Sequence, residues 1–333
     1  MKRDDILIGV GAGLVSAVLF ATVIRGSLAA FLLFYLTPLP VAIVALGWQH
    51  RSGLVASLVG TLVVGLVFDP LFGAIFALAF ALPAWFLSYL ALLARHVQAV
   101  PATGGAAALP PGADKQWYPL GGLALWTAGL SVLLTFGGAL SLGPDYEAYR
   151  TSVQDLMLSA LKGGLEELPN IGPQTPSLTD LARLLATVVV PSSAAASALV
   201  TLIILLIAAK LVSLSGRLPR PLPRIAREFV LPRITFLGFV VTAVLAVIPG
   251  WSRFLAIALA ASLTLLLALQ GLATAHILVA RFPARPIILG IGYAMLVIAE
   301  PWMLIGLAFL GLAEMILSLR ARSLATPPRQ KLD

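Results

Sequence analysis

Few side chains in this sequence could do chemistry, and most of them interrupt long apolar runs. Gln270, His276, Tyr293 and Glu314 stand in the late hydrophobic stretches. A polar or ionisable group in hydrocarbon is costly, so it normally faces a bundle interior, pairs, or serves a ligand. Glu314 lies about one and a half turns before Arg320. It can contribute to a binding site or pair with that basic neighbour at the interface. His276 sits little more than one turn before Arg281, which points to an interfacial position. Asp69-Pro70 and Glu300-Pro301 each place a carboxylate and a proline between two short apolar segments. Interrupted segments in corresponding halves point toward transporter-type binding sites, whereas the same dipeptides also make ordinary tight turns. Arg25 separates two apolar runs. As a single span they would hold it near a helix centre at about 3 kcal/mol. Arg51 requires the second run to return, so Arg25-Gly26 is expected as a tight helix–helix turn at the outer surface, near the turns of Asp69 and Glu300. The speculative substrate-binding set is therefore Arg25, Asp69, Gln270, Tyr293, Glu300 and Glu314.

Other chemistries find no support. The chain has no cysteine and three histidines, His50, His96 and His276. Thiolate catalysis is excluded, and no cofactor or metal is expected. Gly9 to Gly13 reads G-V-G-A-G without a βαβ context, so it is no dinucleotide site. Glu166 and Glu167 are adjacent, point apart on a helix and make no acid/base pair. No catalytic triad, P-loop or metalloprotease helix is present, so no enzyme is expected.

The elements that must position these residues are membrane helices. The 333 residues are 60% hydrophobic and 11% charged, with a mean hydropathy of +1.01, far too apolar for an ordinary soluble domain. The runs lack the two-residue alternation of a barrel, so an all-α, polytopic helical membrane protein follows. Candidate spans are 6–24, 27–47, 53–68, 71–93, 118–142, 192–214, 234–248, 254–280, 287–299 and 302–319. Those starting at 53, 234 and 287 are short for a full crossing, which leaves about eight to ten transmembrane helices. With the N-terminus inside, the outer side receives only Arg25, Arg150, Lys162, Arg183 and Arg253 among the Lys and Arg residues. Both termini are thus expected to be cytoplasmic. The net charge of +8 reads as topology, and no nucleic acid is expected as a partner.

Three non-membrane pieces organise the chain. A Pro/Gly/Ala linker over 97–117 divides an N-terminal four-span region, 1–96, from a C-terminal region, 118–333. An outer segment over 144–190 holds an amphipathic helix on Tyr146, Tyr149, Val153, Leu156, Met157, Ala160 and Leu161. It also holds a second short helix, capped by Ser177 with Asp180 and ended where Pro191 bends the chain. A basic cytoplasmic loop over 215–233 carries four prolines among five arginines. It is expected to anchor against anionic headgroups or to dock a partner. In the first helix Gly9, Gly13, Ala17 and Ala21 form a small-residue stripe. Such a stripe permits close helix approach, either to a partner protein's helix or within the chain.

Several phrases resemble the YybS-like family of bacterial inner-membrane proteins, in its alphaproteobacterial form. They are RGSLAAFLLFYLTPLPVAIVALGW at 25–48, ALPAWFLSYLALLAR at 81–95, GRLPRPLP at 216–223, and QGLATAHILVARFPARP with YAMLVIAEPWMLIGLAFLGLAEMILSLRAR within 270–322. The resemblance covers nearly the whole chain. It implies a multi-pass inner-membrane location and no assigned catalytic residue. The group is regarded as distantly similar to substrate-binding components of energy-coupling-factor vitamin transporters, which meet a membrane coupling subunit through small-residue motifs on their first helices. On that likeness Gly9, Gly13, Ala17 and Ala21 would be a partner-helix contact, although this chain is longer than such components. The expected function is transporter-like binding or translocation of a small molecule. The alternative is a non-transporting membrane scaffold that contacts lipid or protein partners.

Overall fold

In hydrocarbon the backbone can satisfy its own polar groups only by closing them within the segment, so the apolar runs fold as helices. The computed structural model describes residues 3–96, 115–165, 178–280 and 282–325. Helices α1 Arg3–Ala21, α2 Leu28–Tyr35, α3 Leu39–Gly47, α4 His50–Val67, α5 Pro70–Phe76, α6 Leu82–Ala91 and α7 Leu120–Leu140 come first. They are followed by α8 Tyr146–Leu165, α9 Leu178–Leu184, α10 Val190–Leu214, α11 Ile225–Glu228, α12 Ile234–Val247, α13 Trp251–Val279, α14 Arg285–Ile298, α15 Trp302–Leu317 and α16 Leu319–Ala325. Among the described residues, seven helical segments are long and apolar enough to cross a membrane. The stretch from 53 is one of them, as the 18-residue helix α4. Helices α12 and α14 are short, as expected, and α15 is short as well, at 16 residues.

Two expectations about organisation change. Residues 115–117 are not linker: β2 Lys115–Trp117 pairs antiparallel with β1 Ala94–His96, in the register Ala94 to Trp117. Residues 97–114 lie outside the described residues. The chain also divides elsewhere than at 97–117. One compact unit comprises Met1–Thr127 with Val200–Phe229, and the other Ala128–Leu199 with Val230–Asp333, so the division falls inside α7 and α10. The later half of α10 belongs with the N-terminal helices because its Val212 packs on Gly47, where an added Cβ would lie 3.1 Å away.

In the first unit α1 lies against α4 along the small-residue stripe. A Cβ at Gly9 would fall 2.7 Å from the Ser52 carbonyl oxygen, and one at Gly13 would fall 2.5 Å from that of Ala56. Gly9, Gly13 and Ala17 are buried there. These three residues of the stripe are therefore packed within the chain, whereas Ala21 is only half-buried; the two backbones approach because neither glycine has a side chain. Above it, Phe20 meets Phe76 and Phe80 edge to face at 5.5 and 5.8 Å. The buried Ser16 hydroxyl donates to the Thr37 carbonyl.

In the second unit α13 and α15 cross at two facing glycines. A Cβ on Gly271 would overlap the Leu307 carbonyl, and one on Gly311 would overlap that of Leu267. Helix α8 is too polar to span and docks by the face read from its sequence. Tyr149 and Val153 are buried against Ala139, Ala186 and Phe254, with Trp251 and Tyr146 around them. Leu156, 56% exposed, and Ala160 of the expected face point out.

Both units pass a proline by the same local device. Ala77–Ala81 and Leu185–Val189 each form a π-helical turn, and Pro83 and Pro191 follow two residues later. Helicity thus continues from Leu178 to Leu214 instead of stopping at Pro191. The expected cap Ser177 lies outside the described residues. Within the second π turn the Val190 amide bonds Leu185, five residues back. The corresponding donor for Ala186 is Pro191, which has no N–H. The Tyr149 hydroxyl donates to that carbonyl instead, at 3.2 Å. Burial, with Tyr146 beside it, raises the Tyr149 pKa from 10.0 to about 12.

Two outcomes follow. Gly271→Val should cost roughly 3 kcal/mol or prevent folding, measured by unfolding in detergent, because overpacking here meets backbone. The unfolded chain's phenol ionises near pH 10 while buried Tyr149 holds its proton to about 12. Stability is therefore unaffected below pH 10 and falls between the two values. Tyr149→Phe should abolish that alkaline loss and cost about 1–2 kcal/mol at neutral pH by orphaning the Ala186 carbonyl.

Candidate functional site

Gln270 is the most deeply buried of the residues singled out from sequence, with no solvent exposure. Its side-chain oxygen accepts from the Leu231 amide at 2.6 Å, and its amide nitrogen donates to the Gly311 carbonyl at 2.8 Å. These partners fix the orientation of the amide, since a backbone N–H only donates and a carbonyl only accepts. The residue ties α13 to α15 beside their glycine crossing and to the chain entering α12.

Glu314 lies one turn further along α15 and is buried with Arg320. One carboxylate oxygen meets Arg320 Nε at 2.9 Å and the other accepts the Arg320 backbone N–H at 2.9 Å. Ser318 adopts φ 52° between them, which ends α15 and turns the chain into α16. A left-handed serine costs on the order of 1 kcal/mol, which the two charge-assisted bonds offset. Of the two readings open to Glu314, pairing with its basic neighbour is the one observed.

Tyr293 on α14 reaches His276 on α13, oxygen to Nε2 at 3.2 Å. His276 Nδ1 is 2.9 Å from the Leu272 carbonyl. A carbonyl can only accept, so in the neutral imidazole Nδ1 carries the proton and Nε2 accepts from Tyr293.

The remaining candidates are turn residues. Asp69 caps α5: its Oδ1 accepts from the Leu71 amide at 2.8 Å and Pro70 takes the first helical position. Arg25 ends a 3-10 turn, Thr22–Arg25, and is exposed. Gly26 follows at φ 60° and Ser27 caps α2. The helix–helix turn read from sequence is thus present, beside an open groove of about 530 Å³ lined by Val18, Ala21, Thr22 and Leu33 among others. Glu300 is exposed and joined by a cis peptide bond to Pro301. The six residues are divided between the two units. Gln270, Glu314 and Tyr293 stand around α13 in the second unit, Glu300 is elsewhere in that unit, and Arg25 and Asp69 belong to the first. No group of three His, Asp or Glu that could hold a metal occurs among the described residues.

Sequence reasoning missed a crevice of about 450 Å³ in the first unit. It is lined by Trp48, Gln49, His50, Arg51, Tyr89 and Pro219, with Leu46, Leu92 and Leu93 at its apolar side. The basic loop builds one wall. Arg220 is buried and donates to the Ala91 carbonyl at the end of α6, at 3.1 Å, and to the Tyr118 carbonyl at 3.0 Å. Burial lowers its pKa, and the Glu228 carboxylate works against that shift. Arg217 lies over the Trp48 ring, 4.7 Å from its centroid. Part of the expected loose anchor is therefore folded onto the helices. The available signal was an arginine between prolines, just beyond the end of a span. No protein family, curated protein or solved structure matches the chain.

Glu314→Ala should destabilise the chain by about 3 kcal/mol, because it removes the carboxylate paired with the buried Arg320 guanidinium. Gln270→Leu should cost about 1–3 kcal/mol, chiefly by leaving the buried Leu231 amide unpaired. Thermal unfolding in detergent reads both, and unchanged stability in either variant contradicts the structural assignment.

Proposed function

We propose that this chain is a multi-pass membrane scaffold that contacts lipid and protein partners, rather than a carrier of a small molecule. The observation that carries this reading is the engagement of Gln270, Glu314 and Tyr293, each spent on backbone or a side chain of its own unit. A carrier keeps polar groups at mid-depth for its cargo. The surface supports the same reading, because large apolar side chains such as Leu62, Val247, Val297 and Phe309 are well exposed and suit a lipid environment. Membership of the YybS-like group, on the phrases quoted above, would put the chain in the bacterial inner membrane. The distribution of Lys and Arg supports cytoplasmic termini and about eight to ten spans, with α12, α14 and α15 as the short members.

Transport-type binding makes the opposite prediction, so one pair of measurements separates the two. Crosslinking in native membranes should capture a stoichiometric partner independently of added metabolites. A screen of metabolites and vitamins against the purified chain should leave its unfolding temperature unmoved. A metabolite that stabilises the chain, and whose effect is lost in Tyr293→Phe, would overturn the scaffold reading.

A further inference from the structure

The crevice between the end of α3, the start of α4 and the end of α6 has the chemistry of an interfacial anion site. Arg51 on its wall is exposed, and none of the lining side chains is acidic. The described residues include no carboxylate within ion-pair distance of Arg51, so its charge is available. His50 stands beside it, its ring 5.4 Å from Tyr89, while Trp85 Nε1 donates to the His50 carbonyl at 2.9 Å and holds that corner of the chain. A second cation is close by, since Arg217 lies over Trp48. Glu228 does not line the crevice: its carboxylate accepts the Arg224 backbone N–H and acts on Arg220, whose charge it offsets. The crevice is thus positive and aromatic on one side and leucine-lined on the other, and Arg220 fixes its Pro219 wall in advance of any ligand.

We infer that this crevice binds the headgroup of an anionic phospholipid. The phosphate would sit against Arg51 with the glycerol edge against the Trp48 and Tyr89 rings, and the acyl chains would leave past Leu46, Leu92 and Leu93. Basic residues with aromatic neighbours at a membrane interface recognise this class of headgroup. The apolar side of the crevice favours a lipid over a free phosphate ester, which would leave those leucines unused. The inference rests on the scaffold reading and gives it a lipid contact of defined location. The two fail separately, because a stabilising metabolite would overturn the scaffold without altering a lipid response.

The test uses the full chain in a neutral detergent, titrated with phosphatidylglycerol, phosphatidylcholine or sn-glycerol 3-phosphate while the unfolding temperature is followed. Phosphatidylglycerol should raise it saturably, and the other two should not at equal concentration. Arg51→Gln should leave the lipid-free unfolding temperature unchanged and raise the half-maximal lipid concentration about fivefold, the effect of one basic residue near an anionic surface. Arg227→Gln, which changes an exposed arginine that does not line the crevice, should match wild type. Equal losses in the two variants would mean unspecific surface attraction and overturn the site. An equal response to glycerol phosphate would make the ligand a soluble ester, and an equal response to phosphatidylcholine would remove the role of charge; either overturns the proposal.

Discussion

A backbone carbonyl shielded from water keeps a lone pair free even inside a helix, and much of this fold depends on the requirement that buried side-chain donors find such an acceptor. The side-chain donors at the interior meet it. Gln270 serves Gly311, Tyr149 serves Ala186, Ser57 serves Ala81, Arg220 serves Ala91 and Tyr118, and Trp85 serves His50. Each bond joins segments distant in sequence, so satisfying these donors also fixes which helices are neighbours. The same requirement explains why polar residues in the apolar runs are structural here. Once they have met a backbone group within their own unit, they have little capacity left for a ligand.

Close approach is the second condition, since apolar side chains gain little by leaving lipid for one another. The α1–α4 pair and the α13–α15 pair both meet it with glycine, at Gly9 and Gly13 in one unit and at Gly271 and Gly311 in the other. At the second crossing the glycines and Gln270 work together. Bringing two backbones into contact exposes the Gly311 carbonyl to a side chain from the opposite helix, and the adjacent residue supplies that side chain.

Local physics was legible in the sequence. Apolar length located the spans, Asp before Pro gave the α5 cap, and a charge followed by glycine gave the turn at Arg25. The face of α8 was readable because its periodicity is strong, and the stripe on α1 was readable as a packing surface because glycine has few other uses in a span. Long-range pairing was not legible. Nothing near Arg220 announces a carbonyl 129 residues away, and Gln270 carries no mark of a partner 41 residues further on. The division of the chain was hidden for the same reason: a conspicuous Pro/Gly/Ala segment suggested a boundary, but the packing of Val212 and the Arg220 contacts draw the end of α10 into the N-terminal unit. The π turn before Pro191 escaped notice because that proline reads as an end, and the one before Pro83 because its apolar run reads as one regular span; in both a widened turn lets the helix pass the proline.

Those widened turns also change the phase of the helices that contain them. An inserted residue advances every following side chain by about 100° around the axis. In an uninterrupted helix Phe76 and Trp85 would point to opposite sides; the extra residue in the rod that begins at Pro70 and continues through α6 brings them toward the same side. Before the insertion, Phe76 covers Gly60 and meets Phe20. After it, Trp85 reaches Gly53 and the carbonyl of His50. A single membrane rod thereby keeps to one side of α4 on both sides of its widened turn, with the aromatic cluster at one end and the corner of the crevice at the other.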